Sequence, residues 1–150
     1  MGTIAVLVSC RGDADSVLSR VREVLDAVLA HSAPPWPPAE EWARLLPGWF
    51  VQNCAPPRTR EEAEQWLNRW RSLPPEDQAG AILKERWALA DWLHWLEPSE
   101  RQWFWWDAVV RDAEALKVMV EVSAWPAPLG ALEWLLRASG AAEVSLPTLQ

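Results

Sequence analysis

Along this chain the hydrophobic positions change period, and the change separates helices from strands. Residues 3–9 are a nearly continuous apolar, partly β-branched run, which predicts a strand buried on both faces. Gly12-Asp13 ends it. From 14 to 31, Val17, Leu18, Val21, Val24, Leu25, Val28 and Leu29 recur at helical spacing and predict an amphipathic helix, with Asp13 or Asp15 capping its start.

Four prolines within Ala33-Pro34-Pro35-Trp36-Pro37-Pro38 exclude helix and central strand. We read this segment as a stiff connection with Trp36 tucked against the body, in preference to a polyproline ligand. Residues 39–46 predict a short helix ending at Pro47-Gly48, and Trp49-Phe50-Val51-Gln52 a short strand. Thr59 and Glu62 form a capping box ahead of a helix over about 60–72, whose stripe is Ala63, Trp66, Leu67 and Trp70. A further helix starts near Pro75 and turns Ala79, Ile82, Leu83 and Trp87 inward. Asp91 opens a short helix through Trp92, Leu93, Trp95 and Leu96, closed by Glu97-Pro98.

After Pro98 the period falls to two. Trp103 to Val110 and Leu116 to Ala124 read as strands, the second with Leu116, Val118, Val120 and Val122 on one face. Polar residues 111–114 between them predict an antiparallel hairpin. Pro126 and Pro128 open a last helix with Leu129, Leu132, Leu135 and Leu136, stopped at Gly140, and 142–146 forms a final strand. The expected class is α+β. A small mixed β-sheet, made of an N-terminal β–α unit and a C-terminal β-hairpin–α–β, is packed by several helices in one domain spanning 1–150.

Composition adds charge and indole. The net charge is −7, and its placement is uneven: residues 1–75 carry eight Lys/Arg and nine Asp/Glu, residues 76–150 six and twelve. That acidic half disfavours nucleic acid, whose phosphates need Lys and Arg, and suits a basic protein partner. The chain has 13 Trp, no Tyr, twelve Arg and two Lys. This bias matches GC-rich coding, and burial energetics require most of the Trp to be core. Two isolated cysteines, Cys10 and Cys54, fit a reducing cytoplasm better than a disulfide framework. Leu7-Val8-Ser9-Cys10 has the outline of a lipoprotein cleavage box, but no basic residue precedes it and the apolar run is short for a signal peptide. Val6 breaks the myristoylation pattern, and no run reaches the roughly 20 apolar residues of a membrane span.

Catalytic signatures are sparse. Asp13-Ala14-Asp15-Ser16-Val17-Leu18, following an apolar strand, resembles over six residues the first motif of haloacid-dehalogenase-type phosphatases. That resemblance implies an Asp nucleophile and an Asp acid/base beside Mg²⁺. Here Cys10-Arg11-Gly12 stand between the strand and Asp13, so helix capping is the preferred role for both carboxylates. Arg11-Gly12-Asp13, the integrin tripeptide, is read as a turn. Cys10, Cys54, His31 and His94 match neither a Cys–His hydrolase pattern nor the short spacing of a zinc site.

Two surfaces are candidates for binding. Trp92, His94 and Trp95 on one short helix define a small-molecule site, weighed against a solvent-side His94. The leading candidate is the Trp103–Trp106 block, where Trp103 and Trp105 form one aromatic face and Phe104 and Trp106 the other. Trp103 and Trp105, with Glu97, Glu100, Asp107, Asp112, Glu114 and Glu121 as an acidic rim, are the expected partner-binding residues. The expected function is non-enzymatic: a bacterial, cytoplasmic, immunity- or antitoxin-like antagonist of a basic protein, requiring no cofactor or metal. The alternatives are the Mg²⁺-dependent phosphatase and the Trp-lined small-molecule binder.

Overall fold

Every strand of this protein has an antiparallel neighbour, and that arrangement decides which side chains reach the core. The computed structural model describes residues 2–56, 59–84, 86–124 and 127–146, and of 79, 80 and 82–84 the backbone alone. In chain order these form β1 (Gly2–Cys10), α1 (Ala14–Ala30), α2 (Ala39–Leu45), α3 (Gly48–Asn53), α4 (Arg60–Arg71) and α5 (Pro75–Lys84). Then follow α6 (Leu89–Leu96), β2 (Trp103–Asp112), β3 (Ala115–Val122), α7 (Gly130–Ala138) and β4 (Ala141–Ser145). The expected α+β class is observed.

The sheet order is β2-β3-β1-β4, and each hydrogen-bonded pair is antiparallel. The mixed sheet expected from the sequence is therefore corrected. β3 and β4 do run parallel to each other, joined by the α7 crossover, but β1 lies between them and pairs antiparallel with both.

Helices cover one face only. Val6 and Val8 of β1, and Leu116, Val118, Val120 and Val122 of β3, meet the buried stripe of α1 (Val17, Leu18, Val21, Val24, Leu25 and Val28) and the α7 residues Leu132, Leu135 and Leu136 in one core. Each such side chain contributes about 1.5–3 kcal/mol by leaving water. Single-sided cover also corrects the reading of β1 as buried on both faces: Leu7 is 42% exposed and Ser9 is exposed, while Val6 and Val8 are sealed. Antiparallel sheets tolerate one solvated face in a way that all-parallel sheets do not.

Local signals set the helix ends. Asp13 caps α1, its carboxylate accepting from Ser16 N at 3.2 Å and from Ser16 Oγ at 3.0 Å. Thr59 and Glu62 close the capping box of α4, with bonds of 3.1 and 3.2 Å. Gly140 ends α7 at φ +121°, where a Cβ would also stand 3.1 Å from Val17 Cγ2. Only glycine adopts that conformation without strain.

The strand expected at Trp49–Gln52 is instead part of α3. Pro47 precedes it as an extended cap, and the helical turn delivers Phe50 to the core, 4.7 Å from the Trp92 ring. Arg86 then holds the C-terminal end of α3, donating to the carbonyls of Asn53 and Cys54 at 3.0 and 2.9 Å. Trp36 does tuck inward, its ring 4.8 Å from buried Trp42. The inward stripe expected of Ala79, Ile82 and Leu83, and the role of Pro126, lie outside the described side chains and residues. Trp87 is half-buried, as that stripe required.

Candidate functional site

Register assigns the two faces of the hairpin. Trp103 pairs with Val122 and Trp105 with Val120, so both point to the core side, and Phe104 pairs with Glu121 on the open side. Between Trp105 and Asp107 the register slips by one, leaving Trp106 as the extra residue of a β-bulge. After the bulge, Asp107 faces Met119 and Val109 faces Lys117 on the open side, while Ala108 and Val110 return to the core side.

The open face is thus built from three strands. β2 contributes Phe104 and Val109, 44% and 48% exposed, and the bulge presents Trp106 at 67%. β3 contributes Met119, Glu121 and Lys117, and β1 adds Ala5 and Leu7. At ladder positions the charges are Asp107, Glu121 and Glu143 against Lys117. An apolar strip of this kind on a solvated face, with an acidic excess, is the most distinctive surface among the described residues.

The free edge of β2 is partly closed by its own side chains. Arg101 Nε donates to the Trp103 carbonyl at 2.9 Å, and Asp107 Oδ1 accepts from the Ala108 amide at 2.8 Å. Together with the bulge this blunts strand-on-strand pairing. The face, rather than the edge, is left for recognition.

The residues expected to bind a partner divide accordingly. Trp103 is 1% exposed, and Arg101 lies over its ring at 4.9 Å, so a partner cannot touch it without opening the sheet. Trp105 is half-buried on the core side. The aromatic contact surface passes instead to Phe104 and Trp106, because the covered face takes the other pair. Asp107 and Glu121 do lie on the open face, with Asp107 4.0 Å from Arg22, an exposed contact of little energetic weight.

Asp112 and Glu114 sit at the hairpin turn, where Asp112 Oδ1 accepts from the Glu114 amide at 2.9 Å. This turn docks on the β1–α1 junction through Cys10 N to Glu114 O at 2.7 Å and Ala14 N to Ala113 O at 2.8 Å. Glu97 and Glu100 are half-buried at the other end of β2, roughly 30 Å away for a strand of this length. The eight residues do not make one rim.

Trp92, His94 and Trp95 are likewise separated. Trp92 is fully buried and its Nε1 donates to the Ala131 carbonyl at 3.0 Å. His94 is exposed, with its ring edge-on to half-buried Trp95 at 5.4 Å. Helical spacing sends the two ends of this trio in opposite directions, so they line no common cleft.

The Asp13 carboxylate is engaged in capping, and Asp15 is exposed in the first turn of α1. No group of three or more His, Cys, Asp or Glu among the described residues is arranged to hold a metal ion. Burial pushes the Cys10 thiol up, and Asp13, Asp112 and Glu114 add to the effect; burial also raises Cys54. Both thiols are free, buried and poor nucleophiles at neutral pH. The other perturbed carboxyl is Glu133 on α7, raised by burial and opposed by Arg137 at 3.6 Å, a pair within one helix.

The sequence did not single out Phe104, Trp106, Val109, Leu7 or Arg101 as a set. Alternation along β2 was available as a signal, but the bulge that turns Trp106 outward has no sequence mark. Compared with protein-family models, with curated proteins and with solved structures, the chain matches none of them. No helix among the described residues is long and apolar enough to cross a membrane.

Proposed function

We propose that this chain is a protein-binding domain that recognises a basic partner through the open face of its sheet, in the manner of a small acidic antagonist such as an immunity or antitoxin-like protein. One observation carries the proposal. Phe104, Trp106, Val109 and Leu7 lie 42–67% exposed around one uncovered sheet face, beside carboxylates that outnumber the cations. Leaving two large aromatics in water forfeits about 2–3 kcal/mol each, which a partner recovers on burying them.

The charge supports a two-stage encounter. A net charge of −7, concentrated after residue 75, raises the approach rate of a cationic protein and falls off with salt. Asp107 and Glu121 orient the approach, and Phe104 and Trp106 then lose their water and set the residence time. Aromatics at the centre of such a patch are the usual energetic hot spots.

The test is capture by the tagged chain from a lysate of its source organism, at low and at high salt, with bound proteins identified by mass spectrometry. The expected result is one stoichiometric basic protein, retained less at high salt. Capture of nothing at either salt, or of an acidic partner insensitive to salt, would overturn the proposal.

A further inference from the structure

At the edge of the sheet, α1 and the start of β2 enclose a groove of about 270 Å³. Its apolar lining is Leu25, Leu29, Phe104 and Trp105. Two guanidinium groups, Arg22 and Arg101, share it with one carboxylate, Asp26.

Arg101 is the unusual member. Its Nε is fixed on the Trp103 carbonyl at 2.9 Å, and its guanidinium carbon stands 4.9 Å and 5.2 Å from the Trp103 and Phe104 rings. No carboxylate of a described residue forms an ion pair with it. Burial lowers its pKa, which reports how much hydration the cation has lost. A cation stripped of water without an anion is unfavourable, and its remaining N–H donors form a fork that matches a carboxylate.

We propose that this groove binds a small monocarboxylic acid with a compact apolar body, a role separate from recognition of a protein by the open face. The acid group sits on Arg101, with Arg22 at the mouth adding attraction. The body lies on Leu25, Leu29 and Trp105. The volume falls below the roughly 300–1,000 Å³ of drug-sized sites, which limits the ligand to about one ring and a short acid chain. Asp26 repels a second carboxylate, so a monoacid is preferred over a diacid.

The probes are phenylacetate, its neutral amide phenylacetamide and the diacid phenylmalonate, titrated into the full chain by calorimetry and ligand-observed NMR. Phenylacetate is expected to bind about tenfold more tightly than either analogue. Arg101→Gln abolishes that preference. Because Arg101 also supports β2, Leu29→Glu at a position 66% exposed provides a variant that keeps the fold, and it weakens phenylacetate by about tenfold. Equal binding of acid and amide, no binding of the acid at millimolar concentration, or wild-type affinity in Leu29→Glu each overturns the proposal.

Discussion

Two tryptophans three residues apart, Trp103 and Trp106, have opposite fates: one is 1% exposed and the other 67%. The indole side chain is the same; the bulge at Trp106 makes the difference. Because strand side chains alternate, a shift of one residue moves a side chain from core to solvent. Composition correctly required most indoles to be covered, and Trp106 is the one exposed indole among the described residues. Which indole would be left out was not legible, since nothing local marks a bulge. This contrast predicts a difference in stability. Trp92→Ala, which opens a cavity beside Phe50 and deprives the Ala131 carbonyl of its donor, costs about 3–5 kcal/mol in denaturant unfolding. Trp106→Ala changes stability by no more than about 0.5 kcal/mol. Equal losses in the two variants would contradict the assignment of core and surface.

At the scale of elements, signals with a local mechanism were readable. The α1 stripe and its Asp13 cap, the capping box of α4, the β2–β3 hairpin and the glycine stop of α7 all follow from neighbouring residues. Trp49–Gln52 misled because a four-residue apolar run has no resolvable period, and the contact of Phe50 with Trp92 that favours helix is long-range. β1 misled because its apolar run matches a two-sided strand, whereas the only helical cover lies on the side of Val6 and Val8. The capping box yields a local prediction. α4 has no buried residue and packs chiefly on α5, so Thr59→Ala destabilises it by about 1 kcal/mol without reaching the sheet. Amide exchange should quicken across α4 and remain unchanged in β1 and β3. Uniform acceleration throughout the chain would show that α4 is coupled to the core after all.

At the scale of the molecule, the sheet divides the chain into a covered side that holds the fold and an open side that is free to act. The α+β class was legible from the order of periods. Antiparallel pairing throughout was not, because it depends on β1 entering between β3 and β4. The acidic balance and the importance of the hairpin were legible too, but the acids proved dispersed along about 30 Å of strand, and the aromatic contacts moved from Trp103 and Trp105 to Phe104 and Trp106. Local sequence cannot report which face of a sheet remains uncovered. The central claim is that this uncovered face binds a basic protein, and its most direct test is paired capture with the wild-type chain and a Trp106→Ser/Val109→Ser variant of matched thermal stability. The account predicts that the wild type retains a basic partner and that the variant loses it by tenfold or more, about 1.4 kcal/mol or above. Equal retention of the same partner by a folded variant would contradict it.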